Sequence, residues 1–172
     1  QYVMRADSDD ISLPDRAEKS LLLMERDNLD IMSTTVELID SRSENHLGYR
    51  NVPLSNKDIV SFSKRRCPFN HPSVMFKKTS VENAGGYLPL AYKEDYFIWV
   101  RMLQNKVLAE NTDECLVKMR VDSSTIGRRK NKEALDSQKR LIRYMKETKY
   151  NCLIDRLISK IGFELLYFAP SW

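Results

Sequence analysis

The tightest constraint on this chain lies at its start, where the apolar run Tyr2-Val3-Met4 stops abruptly at Arg5-Ala6-Asp7-Ser8-Asp9-Asp10. A short apolar segment that switches at once to charge reads as a buried strand whose carboxyl end opens into a loop. In open α/β sheets ligands bind outside the carboxyl ends of strands, so this acidic loop is expected to face a crevice. Three carboxylates, Asp7, Asp9 and Asp10, crowd into four positions, which is costly unless a cation or basic groups neutralise them. Mg²⁺ or Mn²⁺ suits such oxygen donors, because a hard ion takes one or two carboxylates and fills its shell with water and phosphate oxygens. The plainer alternative is an acidic turn that caps the next helix.

Helix and strand patterns alternate from there. Pro14-Asp15-Arg16 marks a helix start, with Ala17, Leu21 and Met24, joined by Leu22 and Leu23, as its apolar face up to about Asp27. Residues 29–39 read as a strand, 41–48 as a polar loop, and Ser55 with Asp58 as a capped helix ending near Lys64-Arg65-Arg66. The corner Asn70-His71-Pro72 leads into a strand over 73–76, and a short helical turn then meets Gly85-Gly86, a pair that permits positive φ or close backbone approach. A buried helix is expected over 94–104, strands over 107–109 and 115–121, and an amphipathic helix over 131–149.

With 172 residues, 42% hydrophobic and 30% charged, the chain fits one folded α/β domain and excludes disordered or low-complexity classes. No apolar run approaches the roughly 20 residues that cross a bilayer. Three cysteines without CxxC spacing suggest neither a disulfide framework nor zinc, which fits a reducing cytoplasm. The net charge of +4 permits contact with phosphate, but no RNA-recognition motif or zinc finger accompanies it, so nucleic acid is not an expected partner. A chain that opens on Gln1 inside a strand is expected to lack an N-terminal portion.

Glu94-Asp95 opens a helix, where negative charge is favourable at the positive end of the macrodipole; the functional alternative is a general base. His71 and His46 could act as ligand or base, although a histidine beside Pro72 reads first as a structural hydrogen-bonding residue. Arg128-Arg129-Lys130 with Lys132 is either a solvated face or a contact for phosphate or an anionic membrane. Over 153–168, Leu153, Ile154, Leu157, Ile158 and Ile161 form an apolar stripe that must be covered, by the core or, given Arg156, Lys160 and the aromatic end at Trp172, by a membrane interface.

The ordered segments RADSDDISLPDRAEK, NHPSVMFKK, GGY and EDYFIWVRM resemble the family 2 glycosyltransferases of bacterial surface-polysaccharide synthesis. The resemblance implies a GT-A fold: a mixed, mainly parallel sheet flanked by helices, here as a partial fold in residues 1–126 with a helical extension over 127–172. It implies a nucleotide-diphosphate sugar donor, a saccharide or lipid-linked saccharide acceptor, and Mn²⁺ or Mg²⁺. Asp7 and Asp9 match the DxD pair that meets metal and sugar-diphosphate, with Asp10 adjoining. Gly85 and Gly86 match the loop near the acceptor, and Asp95, beside Glu94, matches the carboxylate proposed as base; Trp99 matches an aromatic position that is core or acceptor wall. The family's nucleoside pocket lies upstream of these motifs, so the chain is expected to be the metal-side and acceptor-side half of the enzyme.

Two readings follow from this. One is an inverting transferase acting in the cytoplasm or peripherally on the inner face of the membrane. The other is a non-catalytic remnant or interaction domain of the same fold.

Overall fold

A computed structural model describes residues 1–122 and 131–168 of the chain. Its strands are β1 (Tyr2–Met4), β2 (Ile11–Ser12), β3 (Ile31–Asp40), β4 (His46–Arg50), β5 (Met75–Lys77) and β6 (Ala109–Val121). They form one mixed sheet in the order β1-β5-β3-β6-β2, with β4 paired to β3 off that path. The α-helices are α1 (Arg16–Arg26), α2 (Asn56–Ser63), α3 (Lys78–Asn83), α4 (Glu94–Gln104), α5 (Lys132–Glu147) and α6 (Leu153–Phe168). The architecture is α/β, as expected; the expected boundary near residue 126 lies outside the described residues, as do Arg128, Arg129, Lys130 and Trp172. No helix among the described residues is long and apolar enough to cross a membrane.

The strand directions correct one expectation. β1, β3 and β6 run one way and β2, β4 and β5 the other, but only β3 and β6 are directly paired in parallel. A parallel pair needs a long crossover, whereas β3 and β4 are joined by a short turn that only antiparallel pairing accepts. That turn shortens the expected 41–48 loop to residues 41–45. Asp40 Oδ1 accepts the N–H groups of Arg42 and Ser43 at 3.0 and 2.7 Å, closing a turn that folds β4 back onto β3. The two expected strands after residue 107 are likewise one strand, β6. Its polar Asn111-Thr112-Asp113-Glu114 resembles a turn but is absorbed as a bulge, the register passing from Thr34 opposite Thr112 to Thr35 opposite Cys115. β1, expected to be buried, is instead an edge strand with Met4 exposed.

Helix α1 also turns a different face inward. Arg16, Ser20 and Met24 are buried, whereas Leu21 and Leu22 are 37% and 60% exposed. The guanidinium of Arg16 finds its hydrogen-bond acceptors inside, and that requirement sets the helix's rotation against the pull of the leucines.

Every residue of β3 from Ile31 to Val36 is buried, as a strand covered on both faces demands. Its polar members Ser33, Thr34 and Thr35 therefore need partners. Ser33 donates its N–H and its hydroxyl to Asn111 Oδ1, both at 2.8 Å, and Asn111 Nδ2 donates to the carbonyls of Pro53 and Pro68. Asn70 Nδ2 donates to the carbonyls of Thr34 and Arg50 at 2.8 and 2.9 Å, and Ser73 Oγ accepts from Thr34 N at 3.0 Å. This network staples the 3-10 turn His71–Ser73 onto the sheet. Beneath it, Trp99 packs at the centre of an apolar cluster with Ile31, Phe69, Val74, Phe76 and Met102. Replacing Asn70 by Ala removes two hydrogen bonds, leaving the Thr34 carbonyl with the longer bond from Ser73 Oγ at 3.3 Å, so it is expected to lower stability by about 1–3 kcal/mol, read from the shift in urea midpoint. An unchanged midpoint would show that the turn does not depend on it.

Candidate active site at the end of the sheet

The acidic loop leaves β1 at one sheet edge and reaches β2 at the other, crossing the end of the sheet in between. Arg16 fixes its course. The Arg16 guanidinium donates to Ser12 Oγ at 2.7 Å, to the Arg5 carbonyl at 2.5 Å and to the Pro72 carbonyl at 2.8 Å, joining the start of the loop, β2 and the 3-10 turn. Burial lowers its pKa, and the charges of Asp10 and Asp7 oppose that shift.

The three carboxylates do not close into one cage. Asp7 Oδ1 accepts from Arg5 Nη2 at 2.6 Å and from its Nε at 3.1 Å. Asp10 Oδ1 accepts the Arg120 N–H at 2.9 Å and so locks the loop to β6. Burial raises the Asp10 pKa, Arg120 N–H opposes this, and the charges of Asp9 and Asp7 add to it. The Asp9 side chain is exposed and has no hydrogen bond among the described residues, while its carbonyl accepts from Arg120 Nη1 at 2.6 Å. Among the described residues no group of three or more His, Cys, Asp or Glu side chains is placed to hold a metal. What remains for a hard divalent ion is the free Asp7 Oδ2 and the Asp9 carboxylate. Two hard oxygen donors that reach solvent fit Mg²⁺ or Mn²⁺, provided water and substrate complete the shell.

Across from this loop, α4 presents Glu94 and Asp95 in its first turn. Asp95 Oδ1 accepts the Tyr96 N–H at 2.7 Å, and its Oδ2 faces the Cys67 thiol at 4.0 Å. Burial, with the Asp95 carboxylate beside it, pushes the Cys67 pKa up to about 12, so it stays a neutral thiol. Glu94 is exposed and borders an open groove of about 740 Å³ lined by Leu90, Lys132, Glu133 and Arg140 among others.

His71 stands between the two acidic segments. Burial lowers its pKa, opposed first by the charge of Asp95; Arg5 lowers it further, and Asp7 and Glu94 raise it. Its ring lies 5.9 Å from Trp99 and 6.2 Å from Tyr87. Burial likewise pushes the Tyr87 hydroxyl up to about 12, leaving a neutral donor at the rim. Trp99 is 0% exposed. Of its two expected roles it takes the core one, because contacts with Phe69, Phe76, His71 and Tyr87 cover it on several sides.

Gly85 and Gly86 have φ of +82° and +66° and end α3, with Gly86 N–H donating to the Val81 carbonyl at 2.9 Å. Arg101 on α4 then donates to the carbonyls of Ala84 and Gly86, both at 2.6 Å. The glycine pair thus turns the chain so that Tyr87 lands beside His71. Sequence reasoning had passed over Arg5, Arg16, Cys67, Tyr87 and Arg101. Tyr87 showed only as a letter of a resembling segment, Arg16 only as part of a helix start, and Cys67 carried no local signal.

The depressed pKa of His71 has a measurable consequence. Folded His71 binds its proton less readily than the unfolded chain, so its contribution to stability is full above the ordinary histidine value and is lost as pH falls through the folded pKa. An NMR titration is expected to place its midpoint below 6.5, and His71→Gln is expected to flatten the acid limb of the stability curve. A midpoint at or above 6.5 would contradict this.

No protein-family profile matches the chain. Individual proteins do. It is 33% identical to an uncharacterized glycosyltransferase of Haemophilus influenzae over 98% of this chain and 61% of that protein. It is 33% identical to the amylovoran biosynthesis glycosyltransferase AmsE of Erwinia amylovora, over 82% of this chain and 53% of the relative. It is also 38% identical to the UDP-Gal:alpha-D-GlcNAc-diphosphoundecaprenol beta-1,3-galactosyltransferase of Escherichia coli, over 74% of this chain and 46% of the relative. The chain is therefore a homologue of glycosyltransferases, bacterial polysaccharide-synthesis enzymes among them, and spans about half to three-fifths of their length.

Proposed function

We propose that this chain supplies the metal-side and acceptor-side part of an inverting family 2 glycosyltransferase of the GT-A type. The enzyme moves a sugar from a nucleotide-diphosphate donor to a saccharide acceptor in bacterial surface-polysaccharide synthesis. The observation that carries the reading is the similarity to polysaccharide-synthesis glycosyltransferases, joined to an acidic loop of Asp7 and Asp9 that crosses the end of the sheet and is tied by Arg16 to the turn bearing His71. A lipid-diphosphate-linked acceptor is supported by the substrate for which the Escherichia coli galactosyltransferase is named.

In this reading Asp7 and Asp9 would hold Mg²⁺ or Mn²⁺, which when bound neutralises charge on the diphosphate as it departs. Arg5, whose guanidinium already lies against Asp7, adds positive charge on the same side. Asp95 takes the proton of an acceptor hydroxyl; the freed oxygen bonds to the anomeric carbon; the bond to the diphosphate breaks, its electron pair leaving with the phosphate oxygen. Attack opposite the leaving group inverts the anomeric centre. Neutral Tyr87 and His71 line the space between the two acidic segments and can donate or accept hydrogen bonds to sugar hydroxyls without adding charge there.

The test is release of UDP from a panel of UDP-hexoses by the full-length protein, with Mn²⁺ varied. Asp9→Asn is expected to raise the Mn²⁺ needed for half-maximal turnover by more than about tenfold, the scale on which even outer-shell substitutions weaken metal sites, with circular dichroism unchanged. Asp95→Asn keeps size and hydrogen bonding but cannot take the proton, so transfer is expected to fall by about 10²–10⁴-fold while donor binding survives. Unaltered Mn²⁺ dependence in the first variant would remove the metal role. Transfer at the wild-type rate in the second would return Glu94-Asp95 to a helix-terminal charge pair.

A further inference from the structure

Helix α6 is packed inside out. Its polar residues Asp155 and Ser159 are 5% and 4% exposed, whereas Leu153, Ile154, Leu157, Ile158, Ile161 and Leu165 are 43–68% exposed. These six recur at helical spacing and share one face. The buried side is held by polar bonds. Arg65 Nε donates to Asp155 Oδ1 at 2.6 Å, Cys152 N–H donates to Asp155 Oδ2 at 3.1 Å, and Gln138 Nε2 on α5 donates to Ser159 Oγ at 3.1 Å. Burial would raise the Asp155 pKa, but the bonds from Arg65 and Cys152 outweigh it and hold the carboxyl below its ordinary value, so the anion belongs inside. Of the two covers expected for this stripe, the core is not one it receives: the core takes the polar face and leaves the apolar one outside.

Beside the exposed stripe, α5 and α6 enclose a groove of about 360 Å³. Leu135, Ile142, Leu157 and Phe163 give it an apolar lining, and Lys139, Arg143, Lys146, Arg156 and Lys160 surround that lining with positive charge against the single carboxylate of Glu164. Glu164 lies 3.8 Å from Lys160, and Asp136 lies 3.8 Å from Lys139; neither approach is a tight pair. Arg156 also donates to the Asn151 carbonyl at 3.0 Å.

We propose that the α5–α6 face docks on an anionic lipid surface, with the apolar stripe at the acyl boundary and the cations among the phosphate headgroups. Charge complementarity selects this occupant. An apolar face bordered by cations matches a bilayer interface rich in anionic lipid, where apolar burial and headgroup attraction add. A second copy of the chain does not match, since a two-fold contact through this face would set the same cations against each other. The face also lies close to the candidate site: Lys93, which immediately precedes Glu94 and Asp95, lies with its ammonium 5.4 Å over the ring of Phe163 on α6. The proposal stands without the assignment of a sugar-transfer reaction.

Co-sedimentation of the chain with phosphatidylcholine vesicles, with and without phosphatidylglycerol, tests it. The wild type is expected to bind the phosphatidylglycerol vesicles, more weakly as salt rises. Arg143→Ala with Lys146→Ala removes two exposed cations and is expected to weaken that binding about thirtyfold. Leu157→Ser with Ile161→Ser is expected to weaken it at least about tenfold. Both double variants should keep the wild-type circular dichroism and melting temperature, because all four residues are exposed. The proposal fails if the wild type does not bind, if it binds equally with and without phosphatidylglycerol, or if either folded variant binds like wild type. A lipid-free dimer that Leu157→Ser with Ile161→Ser disperses would give the face to a second copy and also overturn it.

Discussion

A buried guanidinium fixes the geometry on which the candidate site depends. Arg16 is 1% exposed and reaches the Arg5 carbonyl where β1 ends, Ser12 in β2 and the Pro72 carbonyl beside His71. Those segments come from both edges of the sheet and from the turn between them, and no apolar contact could choose their spacing so narrowly, since hydrophobic packing is non-directional. A charge removed from water is costly unless it is paired or fully hydrogen-bonded. Here two carbonyls, a hydroxyl and the nearby Asp7 and Asp10 charges offset that cost. Lysine could not substitute, because a point charge lacks the planar fork that serves separate acceptors.

The same logic extends inward. Asn70 and Asn111 bridge strands and loops through carbonyls that would otherwise be stranded in the core, and they do so at the bulge where β3 and β6 lose simple register. Polar stitching carries the loops, and aromatic packing carries the floor: Trp99 supports His71 and Tyr87 from below. The acidic groups therefore sit on a platform whose shape is set by hydrogen bonds with few alternatives. Arg101 completes it from α4 by holding the Gly85–Gly86 turn in place.

What the sequence revealed follows from how local each signal is. The switch from Met4 to the acidic loop, the helix from Glu94 to Gln104 and the glycine-terminated α3 are written in adjacent residues, and they were legible. β4 was not, because its turn depends on Asp40 accepting N–H groups that look like ordinary loop. Nor was the buried face of α1: Leu21 and Leu22 pointed to one rotation, while the acceptors of Arg16 lie far off in sequence at Arg5 and Pro72. The candidate site shows the same division. Asp7, Asp9 and Asp95 announced themselves by charge and context, whereas the tie that Arg16 makes between the acidic loop and the turn bearing His71 exists only in three dimensions. For α6 the periodicity revealed a stripe but not its direction, since the partners of Asp155 and Ser159 are on α5 and in the segment after α2.

Fastening α6 through polar bonds has a mechanical consequence. A helix seated on greasy contacts can roll about its axis by exchanging rotamers, at little energetic cost. One held by Arg65 to Asp155 and by Gln138 to Ser159 is restrained, because a roll large enough to break those bonds would leave buried polar groups unpaired. The rotation of α6 about its axis is therefore set by these bonds as well as by packing. Lys93, the N-cap of α4, rests over the Phe163 ring, so a roll of α6 would also cost that cation–π contact.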